Sequence, residues 1–271
     1  MIDKFYTKET IVDLCLLQIS LQEYESIIEP SAGNGSFSKK IKCYAFDLEP
    51  EEETIIKANF FEIDLSKFNS PILIIGNPPF GKRSKLAIDF FNKSAEFAST
   101  IAFILPLQFR KWSVQSKLNE NFILETDINI PENSFFYGNK SFDINCCFQI
   151  WHNKNFKETK DLRIKIAPLI KHKDFEMWQY NNTKQALKYF DKEKYKWDFA
   201  VPRQGFYDYK KRIVKVEELD KKIQWIFFKA ENEKILYNLL NMDFEKISKK
   251  NTTIPGFGKA DIVEEYSKLY G

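Results

Sequence analysis

The apolar run Ile72-Leu73-Ile74-Ile75 passes through Gly76 straight into Asn77-Pro78-Pro79-Phe80. A run this short and wholly apolar, stopped by two prolines, reads as a strand buried on both faces. The prolines fix φ and remove two backbone donors, so no ladder continues past them. Asn77, preceding a proline, is held extended. Its side-chain amide and the Pro78 carbonyl then become two rigid acceptors at a sheet edge. Two preset acceptors suit a planar NH2 group: they draw its hydrogens aside and leave the nitrogen lone pair free to attack. Phe80 adds a flat face for stacking. Asn-Pro-Pro in isolation is equally an ordinary turn; its position after a buried strand is what gives it meaning.

Strands and helices alternate around this run. Helical spacing covers 7–21, with Thr7 as a candidate cap, then 36–41, 86–98 and 110–118. Apolar runs over 24–30, 43–46 and 101–105 read as further buried strands, with a short strand or turn near 55–61. Segments 122–130 and 142–151 read as two antiparallel strands, which would set the adjacent Cys146 and Cys147 on opposite faces. The order predicts a doubly wound α/β sheet, mostly parallel, with one antiparallel edge strand. Beyond Trp151 the pattern weakens. A strand over 162–170, helical stretches within 184–190 and 220–240, and a loop over 252–260 suggest a smaller α+β region. The expected division is 1–152 for the catalytic part and 153–271 for a recognition part.

Charge follows the same division. Residues 1–152 carry 15 Lys and Arg against 20 Asp and Glu, a net of −5, whereas residues 153–271 carry 26 against 18, a net of +8. A basic half of this kind permits docking on phosphates, although a solvated surface gives the same count. With only two histidines, His152 and His172, and four cysteines lacking zinc-ligand spacing, the sequence points to no metal. The stretch MIDKFYTKET shows no signal pattern and no apolar run is long enough to span a bilayer, so a soluble, cytoplasmic protein is expected.

Two further features sit at strand ends, where ligands bind in open α/β sheets. Glu29-Pro30-Ser31-Ala32-Gly33-Asn34-Gly35 closes the first strand, and glycine there lets backbone pass close to a ligand. Asp47 ends the second strand, where a carboxylate can accept both hydroxyls of a ribose; Glu49 is the competing acid, and a simple turn cap explains Asp47 equally.

With these residues in place the chain resembles the class I amino methyltransferases, in particular the adenine-N6 DNA methyltransferases of the Asn-Pro-Pro-Phe type, over roughly its first 150 residues. The resemblance implies a Rossmann-like methyltransferase sheet and S-adenosylmethionine as cofactor. By the same resemblance, Phe5-Tyr6-Thr7 lies against the methionine part of the cofactor. Glu29, Pro30, Ser31 and Gly33 form the main cofactor loop, Asp47 binds the ribose, and Asn59 with Phe60 holds the adenine. Asn77, Pro78, Pro79 and Phe80 form the catalytic tetrad, with Asn77 also bordering the cofactor. Asn59 departs from the aspartate usual at that position, and Asp64 is a second candidate for the role. An aromatic across the target base is expected among Phe135, Phe136 and Phe142, with Phe136 standing for the position here. Lys82, Arg83 and Lys85 follow the tetrad as candidate phosphate contacts, or as a solvated loop.

The implied substrate is a nucleic acid with a flipped adenine, DNA ahead of RNA. Three alternatives share parts of the pattern: RNA adenine, the amide of a protein glutamine, and a non-catalytic nucleic-acid-binding module that kept the fold.

Overall fold

The computed structural model describes residues 5–138, 140–142, 144–252 and 254–271. It forms two units, Met1–Lys165 and Ile166–Gly271. The first contains, in chain order, β1 (Tyr6–Thr7), α1 (Glu9–Leu16), β2 (Ser26–Glu29), β3 (Tyr44–Asp47), β4 (Ile56–Lys57), β5 (Ile72–Gly76), α2 (Lys85–Ser94), β6 (Thr100–Pro106), α3 (Trp112–Gln115), β7 (Phe122–Asn129), β8 (Phe135–Tyr137), β9 (Lys140–Phe142) and β10 (Cys146–Asn153).

Seven of these strands form one sheet in the order β4-β3-β2-β5-β6-β10-β7. Pairing is parallel from β4 through β6, and β10 runs antiparallel to both β6 and β7. This is a doubly wound, Rossmann-like α/β sheet. Its one antiparallel strand sits second from the end rather than at the edge, because β10 pairs along its whole length with two neighbours. Alternation places Ile72, Ile74, Ile101, Phe103 and Leu105 in one core cluster with α2, and Leu73, Ile75, Ala102 and Ile104 in another with α1. Each face therefore has its own helix. Cys147 falls in the first cluster and Cys146 in the second, as strand geometry requires.

Several sequence expectations are corrected. Thr7 does not cap α1 but lies in β1, and Lys8 is the residue before the helix. Segment 36–41 is a set of hydrogen-bonded turns rather than a helix. The expected helix over 110–118 contracts to α3, preceded by a 3-10 turn over Leu107–Arg110. No strand forms over 162–170: Leu162 N–H donates to Leu124 O at 2.8 Å, and beyond it the chain leaves the sheet.

Arg163 anchors that departure. Its guanidinium donates to the carbonyls of Gln115 and Leu118, both at 2.7 Å, and of Asn119 and Phe122, at 2.8 and 3.1 Å. It also lies 5.7 Å from the Trp151 ring centre. Carbonyls at the end of α3 and in the turn after it are thereby satisfied by one planar cation.

The second unit contains β11 (Phe175–Tyr180), α4 (Lys192–Tyr195), β12 (Phe199–Pro202), β13 (Trp225–Ala230), α5 (Glu233–Leu240), α6 (Phe244–Lys249) and α7 (Lys259–Tyr270). The strands form an antiparallel sheet, β11-β13-β12, with a core on each face. The stretch 220–240, within which helical stretches were expected, holds β13 before α5. Among the described residues no helix is long and apolar enough to cross a membrane.

Arg163→Ala should lower stability by about 2–3 kcal/mol, since it strips charge-assisted partners from several carbonyls at once. Urea unfolding checks this; an unchanged midpoint would mean the guanidinium contributes nothing to stability.

Candidate active site

The carboxyl ends of β2, β3 and β5 converge on one group of polar residues. Asn77 follows β5 directly and is half-buried. Its amide nitrogen donates to Thr7 Oγ1 at 3.1 Å. That bond turns Oδ1 away from Thr7, and among the described residues Oδ1 receives no hydrogen bond. The Asn77 backbone carbonyl accepts from Ser31 Oγ at 3.4 Å, which ties the tetrad to the glycine loop. Pro78 is buried, whereas Phe80 is half-buried and wedged against both core clusters of the sheet.

Thr7 is itself fixed. β1 pairs antiparallel with β8, setting Tyr6 opposite Phe136 and Thr7 opposite Phe135. Phe135 is 1% exposed and belongs to the core, so of this pair Phe136 is the ring that is not lost to packing. It lies 5.5 Å from the Tyr6 ring, centre to centre. The side chain of Phe142 falls outside the described part. Phe5 is partly buried against the α1 face of the core.

The glycine loop closes beneath Tyr6. Gly33 has φ +56°, and a Cβ there would stand 3.1 Å from Tyr6 Cε1. Only glycine allows the ring to lie this close over the backbone. The Tyr6 hydroxyl donates to Glu51 Oε1, and Glu51 N–H donates to Gly33 O at 3.0 Å. Ser36 Oγ donates to Thr7 O at 3.2 Å. Glu51 and Ser36 were not singled out in the sequence: one stands in an acid run, the other in an apparent helix, and nothing local marks either as a partner of β1.

Asp47 stands at the tip of β3. Its two oxygens accept from Gly33 N–H and Glu49 N–H, each at 2.8 Å. A carboxylate has roughly four lone-pair sites, so hydroxyl ligands can still be accepted. Glu49 is exposed. Glu29, by contrast, is 2% exposed and turned inward, accepting from Ser38 N–H at 2.8 Å and Phe37 N–H at 3.3 Å. It shapes the turn after the loop. Burial pushes its carboxyl up to about 7, against the two backbone hydrogen bonds that favour its charge. Pro30 is buried behind it.

Asn59 and Asp64 each cap a 3-10 turn. Asn59 Oδ1 accepts from Phe61 N–H at 3.2 Å and its amide donates to Glu62. Asp64 accepts from Ser66 and pairs with Lys67, bonds that hold its carboxyl below its usual range. Phe60 is buried and stacks on Phe90 at 5.3 Å, so Phe61 is the exposed ring of the pair.

The segment leaving the tetrad is conformationally demanding. Gly81, Arg83 and Ser84 have φ of +66°, +56° and +60°. A Cβ on Gly81 would come within 2.8 Å of Leu86 Cβ. Ser84 is buried and donates to Gln108 Oε1 at 3.1 Å, which holds the segment against the end of β6. Lys82, Arg83 and Lys85 are exposed.

Among the described residues no group of three or more His, Cys, Asp or Glu is placed to hold a metal. The donor set instead fits a cationic group bearing a diol: a glycine cradle under an aromatic ring, a strand-tip carboxylate, and an acidic rim from Asp47 through Glu51.

Comparisons with solved structures return three partial resemblances. One is a chain of a type I restriction-modification system, with TM-score 0.42 and 13% identity over 55% of this chain and 42% of that one. Another is a candidate RNA methyltransferase from Pyrococcus horikoshii, with TM-score 0.39 and 17% identity over 56% of this chain and 88% of that one. The third is the type IIL restriction-modification enzyme MmeI in complex with DNA, with TM-score 0.43 and 10% identity over 76% of this chain and 48% of that one. This chain thus spans under half the length of the first and third. No protein-family profile and no curated protein sequence matches it.

Glu29 gives a pH signature. Its carboxyl ionises near 4.5 when unfolded and near about 7 when folded. The neutral acid therefore favours the fold, a contribution fully present below 4.5 and lost as pH rises through about 7. Glu29→Gln should remove this component from the pH profile of thermal unfolding. Parallel profiles for the two proteins would refute the assignment.

Proposed function

We propose that the chain transfers a methyl group from S-adenosylmethionine to the N6 amino group of adenine in DNA, with 1–152 as the catalytic part and 153–271 as the basic part that engages nucleic acid. The observation that carries this reading is the hydrogen bond from the Asn77 amide to Thr7 Oγ1, which leaves Oδ1 as a positioned acceptor at the carboxyl end of β5.

Phe5, Tyr6, Thr7, Pro30, Ser31 and Gly33 would border the methionine part of the cofactor, with Glu29 holding their loop in shape. Asp47 would take the ribose hydroxyls, and Asn59 the adenine edge. The cofactor, when bound, supplies an electrophilic methyl on a sulfonium. This chain's residues prepare the acceptor. An adenine out of its stack lies on Phe80, bounded by Phe136. Asn77 Oδ1 and the Pro78 carbonyl accept from its amino group, holding both hydrogens in the base plane and exposing the nitrogen lone pair. Because Thr7, Ser31 and two prolines fix these acceptors beforehand, little reorganisation accompanies the reaction. Lys82 and Arg83 would meet phosphates beside the flipped base.

Incubation with cofactor labelled in its methyl group, together with DNA, RNA or a protein extract, tests the substrate: label should enter DNA, at adenine N6. Label confined to protein would sink the adenine reading. Asn77→Ala should slow transfer at least about 100-fold while cofactor binding, measured by calorimetry, persists. Survival of activity in that variant would remove Asn77 from its role. Thr7→Val, which loses the orienting oxygen but keeps the shape, should lower kcat about 10- to 100-fold with KM for DNA little changed; an unaltered kcat would show that Thr7 does not position Asn77.

A further inference from the structure

One of the exposed rings of the second unit is presented by a tightly held turn. Phe206, on the loop leaving β12, is 84% exposed. The backbone around it is tightly held. Gly205 has φ +127°, and a Cβ there would stand 2.5 Å from Tyr207 Cε2, so the Tyr207 ring folds back over a position open only to glycine. Gly205 N–H donates to Pro255 O at 2.9 Å, and Phe257 N–H donates to Arg203 O at 3.1 Å. The buried Tyr209 hydroxyl shares its one hydrogen between Gly205 O at 2.8 Å and Pro255 O at 3.0 Å. The turn is thus clamped on both sides to 255–257, while the residue at its tip packs on nothing that would repay its exposure.

The segment that carries the turn is predominantly basic. Residues 203–215 hold Arg203, Lys210, Lys211, Arg212 and Lys215 against a single acid, Asp208. Asp208 accepts from Lys210 N–H, and Arg212 is engaged internally with the carbonyls of Tyr209, Leu240 and Met242. Lys210 is exposed, with Glu245 at 3.8 Å, and Lys211 is exposed. Arg203 donates to Gln224, yet its buried Nε finds no hydrogen-bond partner among the described residues. An apolar protein partner would use the ring but not the exposed ammonium groups of Lys210 and Lys211 beside it. A ligand with flat apolar faces and an anionic backbone answers both the ring and the charge.

We propose that the Gly205–Tyr207 turn is a DNA contact in which Phe206 stacks between bases of the duplex while Lys210 and Lys211 lie against flanking phosphates. The inference rests on the nucleic-acid substrate proposed above. It adds the element that grips the duplex, separate from the residues that act on the target amino group.

The test uses the full chain and short DNA duplexes carrying 2-aminopurine at one adenine position at a time, outside the adenine that is methylated, at low salt. Wild-type protein should bind and raise the 2-aminopurine fluorescence as stacking is disturbed. Phe206→Ala should weaken binding about 5- to 100-fold and abolish the rise, without changing the slope of log Kd against log salt. The Lys210→Ala/Lys211→Ala double variant should reduce that slope by about two and keep the rise. Thermal unfolding of Phe206→Ala should match wild type, because the ring is exposed. If wild type methylates DNA and Phe206→Ala binds it with unchanged affinity and fluorescence, this proposal alone falls. If wild type binds no DNA, the substrate reading falls with it.

Discussion

Neither β5 nor β6 has a solvent face. Ile72–Gly76 is buried throughout, Thr100–Pro106 likewise, and each strand has a hydrogen-bonded neighbour on both sides. Side chains that must meet water or ligand are therefore displaced to the strand ends. At the carboxyl end stand the glycine loop, Asp47 and Asn77. At the amino end a different polar set is sealed in: Tyr24 donates to Thr100, whose hydroxyl meets His152, and His152 meets Glu125 at 2.7 Å. Burial lowers the pKa of His152, against the Glu125 carboxylate that favours its charge. One end is organised to present groups, the other to satisfy them internally.

This polarity was legible in part. Short apolar runs punctuated by Pro, Gly or an acid identified β2, β3, β5 and β6, because strands buried on both faces have few ways to be written. The tetrad was legible for the same reason: Pro78 and Pro79 can follow a central strand only where it ends. Pairing order was not. Nothing in the alternation of 146–153 says that β10 inserts between β6 and β7. The alternation of Leu162, Ile164 and Ile166 looks like a strand, but Ile166 is 83% exposed and the segment keeps only one ladder-like bond to Leu124. Arg163, reaching back to four carbonyls, fixes the chain there instead.

Within the site, residue types were legible and contacts were not. Thr7 and Asn77 are 70 positions apart, and Thr7 was expected to start a helix. Glu29 read as a ligand-facing acid; the fold turns it inward to hold Phe37 and Ser38, because the turns over 36–41 expose backbone donors that no helix satisfies. Tyr6 and Glu51 meet across a glycine that exists to let them. Each is a long-range packing outcome with no local signature.

The pairing of β1 with β8 joins residues 6–7 to residues 135–136. The cost of closing so long a loop makes such a contact a late one compared with the local pairings. During synthesis Tyr6 and Thr7 leave the ribosome well before Phe135 and Phe136, with six of the seven strands of the large sheet made between them. A nascent chain would thus carry an Asn77 whose amide still lacks the oxygen that orients it. β1 thus acts as a latch: the bond from Asn77 to Thr7 is held by a strand whose own partner, β8, is made well after Asn77.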